Sequence, residues 1–148
     1  MSMDHELLLK LKSLLIKHEG LKLKLYQDIV GKWTIGVGRN LEDNGIRESE
    51  AIYMLNNDIE YFYNSLDERF PWFKNLDDTR KIILLNMSFN LGIKGLLSFK
   101  KMLQSLSIHS YLEASIQMLE SKWAYQVGKR AEELSEMMRT GCMPNEMG

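Results

Sequence analysis

A single cysteine, Cys142, rules out an internal disulfide framework and suits a reducing compartment. Cys142 has no recognisable base partner in sequence and reads as inert. Proline is nearly absent, with two in 148 residues. No repeat or low-complexity run accompanies them, so a long linker is excluded, and the length suits one compact domain or one core with a small lobe attached. An excess of one charge is missing as well: 19 basic residues face 20 acidic ones. That excludes a general nucleic-acid binder, whose affinity comes largely from neutralising phosphates, though not a local basic patch. The three histidines, His5, His18 and His109, lack metal-ligand spacing, and neither a metal nor a cofactor is expected. No apolar run is long enough to span a bilayer, and no stable membrane insertion is expected. The richest stretch, Leu7 to Ile16, is interrupted by Lys10 and Lys12, and no A-x-A-like cleavage site follows it. A protein made and folded in the cytosol is expected, one that reaches any extracellular target by a separate export or lysis route.

What is present falls into two patterns. Leu7, Leu8, Leu11, Leu14 and Leu15 recur at helical spacing, with Gly20 as a terminator after Glu19. The period then becomes two: Leu21, Leu23 and Leu25 alternate with Lys22 and Lys24, the pattern of a half-buried strand. Asp28 to Lys32 reads as a turn, Trp33 to Gly38 as a second strand, and Asp43-Asn44-Gly45 as another turn. Residues 21 to about 46 thus form a small β lobe.

From there on the chain reads as helix. Ile52, Leu55, Ile59, Phe62 and Leu66 make an apolar stripe ending before Pro71. Asp77 or Asp78 caps a helix carrying Ile82, Ile83, Leu85, Met87 and Phe89 and closing near Gly92. Leu96, Phe99, Met102, Leu103 and Leu106 make another. Ser110 and Glu113 have capping-box spacing ahead of Ala114 and Met118, and Gly128 precedes a last helix from about Lys129 to Arg139. The expected fold class is α+β and mostly α: a small N-terminal β-hairpin lobe and a larger helical lobe, about 47–141 plus the N-terminal helix, with a ligand cleft between them. The ten methionines read as adaptable core filler, and Trp123 as a core anchor rather than a sugar-stacking platform.

Candidate chemistry gathers where helix gives way to hairpin. Glu19 closes the helix, Asp28 lies in the hairpin turn and Thr34 in the returning strand. Two carboxyl groups facing a gap are the minimum equipment for glycoside hydrolysis, one protonated to serve the leaving oxygen and one ionised to orient water or stabilise positive charge. On spacing alone, a Glu and an Asp nine residues apart more often mean a solvated surface.

The surrounding residues are more specific. Glu19-Gly-Leu-Lys-Leu-Lys-Leu-Tyr-Gln-Asp28, followed by Gly31-Lys-Trp-Thr34-Ile-Gly-Val-Gly38, resembles the signature of the phage-type lysozymes, glycoside hydrolase family 24, of which the T-even phage lysozymes are familiar members. Asn86-Met-Ser-Phe-Asn-Leu-Gly92, Phe99 to Leu103, Ser121-Lys-Trp-Ala-Tyr-Gln-Val-Gly-Lys-Arg-Ala131 and Arg139-Thr-Gly141 extend the resemblance over roughly residues 9–141. It departs at Arg39, where the T-even member has histidine, and at Asn40 to Gly45, which cross a longer lobe region in a few residues. No substrate contacts are therefore carried over into 39–46. The near-neutral charge also departs from the basic character common in the family, and implies weaker attraction to anionic walls.

The resemblance implies a single lysozyme domain over 1–148 that acts on bacterial peptidoglycan between N-acetylmuramic acid and N-acetylglucosamine, with inversion. Glu19, Asp28 and Thr34 would form the catalytic set. Phe89 and Asn90 lie where the family lines its cleft with an aromatic and an amide, Gln117 matches a substrate-contacting asparagine, and Arg130 matches a cleft-rim arginine that could pair with an acid near Glu19. Against these stand plain readings: Phe89 as core, Thr34 as an ordinary strand residue, and Arg130 as a solvated helix-start arginine. A lytic transglycosylase, which needs only the acid, and a non-catalytic peptidoglycan-binding module are the competing functions. The implied setting is a monomeric endolysin held in the host cytoplasm until a holin or another export route releases it to the periplasm or cell wall. A prophage remnant, a tail-associated lysozyme or an injected effector would share the sequence pattern.

Overall fold

The computed structural model describes residues 3–146. The fold is α+β and mostly helical, with a small antiparallel sheet near the N-terminus. The chain divides into two compact units at the Tyr53–Met54 boundary.

The first unit opens with α1, His5–Glu19, whose N-cap Asp4 accepts the Leu7 N–H at 3.4 Å. Gly20 ends it as expected: at φ 80° it leaves the helix while its own N–H still reaches the Ile16 carbonyl. Strands β1 (Lys22–Gln27), β2 (Trp33–Gly36) and β3 (Arg39–Asn40) form the sheet in that order, with Tyr26 opposite Thr34 and Thr34 opposite Asn40. Two expectations change here. The second strand ends at Gly36 rather than Gly38, because Gly36 and Gly38 adopt φ of 71° and 66° and turn the chain back into a third strand. The leucine–lysine alternation of β1 does not produce a half-buried face: Leu21, Leu23 and Leu25 are 58%, 84% and 52% exposed. A sheet of three short strands offers little surface of its own to bury side chains against.

The expected Asp43-Asn44-Gly45 turn belongs to a one-turn helix, α2 (Leu41–Asn44), capped by Asn40, which accepts the Asp43 N–H at 3.0 Å. Helix α3, Glu48–Arg69, begins in the first unit and continues into the second. Of its apolar stripe only Leu66 is fully buried; Ile52, Leu55 and Ile59 are exposed.

The second unit adds a short 3-10 turn, Phe73–Asn75, and then α4 (Asp78–Leu97), α5 (Lys100–Ser107), α6 (Tyr111–Leu119), α7 (Lys122–Val127) and α8 (Lys129–Thr140). Asp77, not Asp78, caps α4 and accepts the Arg80 N–H at 3.1 Å. Gly92, at φ 76° and ψ 167°, breaks α4 where closure was expected, and helix resumes to Leu97. The single stripe read from Leu96 to Leu106 is in fact divided: α4 ends, Phe99 caps α5, and the axis turns by 98°. No single helix among the described residues is long and apolar enough to cross a membrane. The core of this unit includes Leu66, Phe73, Ile83, Leu84, Leu106 and Leu134, together with Trp123 and five methionines: Met87, Met102, Met118, Met137 and Met138. The reading of methionine as core filler therefore holds for these five, and Met143 packs partly buried against this core.

The Ser110/Glu113 capping box does not form. The Ser110 N–H, which the glutamate would have to receive, is already donated to the Ser105 carbonyl at 2.8 Å. Arg80 on α4 instead ties the helices together. Its Nε donates to the Met138 carbonyl at 2.9 Å, Nη2 to that of Arg139 at 3.3 Å, and the guanidinium lies 3.6 Å over the Tyr111 ring.

Candidate active site

Glu19, Asp28 and Thr34 all lie in the first unit. Asp28 owes its place to turn chemistry. Its Oδ1 accepts the N–H groups of Val30 and Lys32 at 3.0 and 2.9 Å, while its own N–H donates to the Lys32 carbonyl at 2.9 Å. A short side chain that can accept from the backbone two residues on is the reason an aspartate closes such a turn. Thr34 sits on the central strand, 2% exposed, and its hydroxyl donates to the Lys32 carbonyl at 2.8 Å. Lys32 therefore joins the two: its N–H holds Asp28 and its carbonyl holds Thr34. With its proton engaged, the Thr34 oxygen is left as an acceptor.

Glu19 is placed by the other end of the hairpin. Its carboxylate lies against Gly38, so close that a Cβ added at Gly38 would stand 2.7 Å from Glu19 Oε2. The second glycine of Thr34-Ile-Gly-Val-Gly38 thus meets two demands, a left-handed backbone and room for the acid.

The segment behind this turn is ordered by charge. Arg39 grips Glu50 with both arms of its guanidinium, Nη1 to Oε1 at 2.9 Å and Nη2 to Oε2 at 2.6 Å, and Arg47 adds its backbone N–H to Oε1 at 2.7 Å. The Arg39 hydrogen bonds, followed by the Arg47 N–H, hold the Glu50 carboxyl down at about 2. Lys32 Nζ bridges Glu42 at 3.4 Å and Asp43 at 3.2 Å. Sequence reasoning missed the Arg39–Glu50 pair. Its only signal was an arginine directly after the Gly-x-Gly turn, with an acid in the first turn of the next long helix.

The remaining candidates lie in the second unit. Phe89 is 45% exposed and meets Phe62 edge to face at 5.7 Å, so it is neither fully core nor fully free. The amide of Asn90 has a partner inside the fold: the Trp123 indole N–H donates to its Oδ1 at 2.7 Å. Gln117 donates to Glu113 at 2.8 Å and lines a cavity of about 530 Å³ that also takes in Phe99, Trp123, Lys101 and Lys122. Arg130 pairs with Asn86, its Nε and Nη2 reaching Oδ1 at 3.0 and 2.7 Å. Arg130 thus forks on an amide oxygen of α4, reached from the first turn of α8. Among the described residues no three His, Cys, Asp or Glu side chains cluster to hold a cation.

Comparison with known proteins bears on this arrangement. The model of the phage lysozyme family matches residues 16–139, a span that includes Glu19, Asp28, Thr34 and every second-unit candidate. The chain belongs to the phage lysozyme family. Two curated proteins of Dictyostelium discoideum, probable T4-type lysozymes 2 and 1, are 28% and 27% identical over 90% of this chain and 95% of their own length. The pre-baseplate central spike protein Gp5 of Enterobacteria phage T4 is 22% identical over 90% of this chain, a match confined to 28% of that longer protein. As a phage lysozyme the protein is a glycoside hydrolase, a lysozyme-like muramidase with bacterial peptidoglycan as its substrate.

Proposed function

We propose that this lysozyme hydrolyses the β-1,4 bond between N-acetylmuramic acid and N-acetylglucosamine with inversion, using Glu19 as general acid. Glu19 protonates the glycosidic oxygen as the bond to the sugar carbon breaks. Asp28, as a carboxylate, stabilises the oxocarbenium-like transition state and orients water, which attacks from the opposite face and gives up its proton to that carboxylate. The Oδ1 of Asp28 is engaged by two backbone N–H groups, so Oδ2 is the oxygen that meets the water. Thr34 accepts a hydrogen bond from that same water. In an inverting enzyme the two carboxyl groups stand roughly 6.5–9.5 Å apart to admit it. Phe89, Asn90, Gln117 and Arg130 are assigned to substrate contact. The whole chain acts as one lysozyme domain.

One observation carries this reading: Lys32 links Asp28 and Thr34 in one turn while Glu19 rests on the glycine that closes the same strand region. A transglycosylase would have no use for Asp28 and Thr34 as water-handling groups. The setting we assign is that of a monomeric endolysin, kept in the host cytoplasm and released through a holin to lyse the cell.

Purified peptidoglycan incubated with the parent protein and with Glu19→Gln tests the chemistry. New reducing N-acetylmuramic acid ends, formed first as the α anomer and absent with the variant, are expected. Anhydro ends would move the assignment to a transglycosylase. Retained binding without cleavage by the parent would leave a non-catalytic module.

A further inference from the structure

The backbone on which Glu19 rests is itself held from outside the sheet. Gly38 touches the Glu19 carboxylate, and the next residue, Arg39, pairs with Ile35 across the β2–β3 ladder. The Arg39 guanidinium then leaves the sheet to take both oxygens of Glu50 in the first turn of α3, and Nη1 also donates to the Gly45 carbonyl at 3.3 Å. Other ties on this stretch include the β2–β3 ladder, the Asn40 cap of α2 and the bridges from Lys32 to Glu42 and Asp43, none of which reaches α3. β3 spans only Arg39–Asn40 and α2 only Leu41–Asn44.

We propose that the Arg39–Glu50 pair is a positioning device for Glu19, fixing the Gly38 backbone against which the acid rests and so setting where its proton is delivered. The inference rests on the reading of Glu19 as the general acid. An ion pair with side chains 32% and 36% exposed is reached by solvent, which screens its contribution to stability. Its bidentate geometry, with the carboxylate further held by the Arg47 N–H, restricts orientation instead. Proton transfer in the transition state is sensitive to that restriction, since a donor displaced by about 1 Å can lose roughly a hundredfold in rate. Neither Arg39 nor Glu50 touches the reacting atoms in this account; both act through Gly38.

The test is steady-state kinetics on solubilised glycan fragments, for the full-length protein, Arg39→Gln, Glu50→Gln, Arg39→Lys and the charge swap Arg39→Glu with Glu50→Arg. Each is assayed well below its own melting midpoint. Both glutamine variants are expected to lose about tenfold or more in kcat while KM stays within about twofold. Arg39→Lys keeps the charge but loses the fork, and should fall between parent and Arg39→Gln. The charge swap should recover part of the loss. Parental kcat in the glutamine variants, or a rise in KM alone, overturns the proposal. If the glutamine variants do not fold, Arg39→Lys decides it: a lowered kcat with KM within about twofold upholds the proposal, and parental kcat sinks it. Glu19→Gln is run alongside. If that variant stays active, the acid assignment and this inference fall together; if it is inactive while the Arg39 and Glu50 variants match the parent, only this inference falls.

Discussion

Asp28 performs two tasks, and they separate by substitution. Its Oδ1 closes the hairpin turn by accepting two backbone N–H groups, and the proposed chemistry needs a negative carboxylate at the same position. Asparagine preserves the acceptor oxygen and removes the charge. Asp28→Asn should therefore keep its stability within about 1 kcal/mol of the parent while losing most of its peptidoglycan cleavage. Asp28→Ala should lose activity and also about 1–3 kcal/mol, because two N–H groups lose their acceptor. Urea unfolding beside a reducing-end assay distinguishes the two roles; full activity in Asp28→Asn would leave Asp28 as a turn residue only. The helix end at Glu19, the turn at Asp28 and the strand at Thr34 were legible in the sequence through local chemistry, while their grouping into one candidate set came from the resemblance to the phage-type lysozymes. The contact of Glu19 with Gly38 was not, since it depends on how the helix end meets a turn nineteen positions later. Nor was the Arg39–Glu50 pair, whose formation depends on the path the chain takes through α2.

At the scale of elements, boundaries set by one residue's own backbone were readable, and those decided by a competing partner were not. Gly20 and Gly128 mark helix boundaries where the sequence placed them, because their positive φ suits a glycine. Ser110 and Glu113 had the right spacing for a cap, but the Ser110 N–H goes back to Ser105 and Glu113 takes its hydrogen bond from Gln117. Phe99 splits an apolar stripe and packs edge to face on Trp123 at 5.8 Å, a contact periodicity cannot foresee. Arg80 shows how far such a tertiary partner reaches. Its side chain is 11% exposed and binds the last turn of α8 through two carbonyls, besides its own cap residue Asp77 at 3.0 Å. We expect Arg80→Ala to cost about 2–4 kcal/mol in urea unfolding, from charge-assisted hydrogen bonds and the stacking on Tyr111. Arg80→Lys should recover only part, because an ammonium cannot fork to two carbonyls and lie over a ring at once. A loss in Arg80→Ala below about 0.5 kcal/mol would show that Arg80 does not hold α8 in place.

For the molecule as a whole, near-equal numbers of acids and bases make individual pairs, rather than net charge, the source of pH dependence. Three carboxyl groups are held below their ordinary range. Arg39 and then the Arg47 N–H bring Glu50 to about 2; the Asn40 amide and then Lys32 lower Asp43; and Arg139 lowers Glu136. In each case the unfolded chain takes up protons at a higher pH than the folded one. The stabilisation is therefore complete above the ordinary carboxyl value of 4.5 for Glu50 and is lost as pH falls toward about 2. Lys32 works in the opposite sense: Asp43 and then Glu42 raise it above 10.5, so its contribution is full below that value and lost as pH climbs through the raised one. All these pairs are reached by solvent, so added salt should flatten both slopes. Thermal melts are expected to hold a level midpoint through neutrality and decline below about pH 4.5, with a shallower decline in Glu50→Gln than in the parent. A decline equally steep in parent and variant would mean that Glu50 is not the group being titrated. Because the Arg39–Glu50 pair persists far into acid, any loss of cleavage above pH 4.5 must come from groups other than the clamp that positions Glu19.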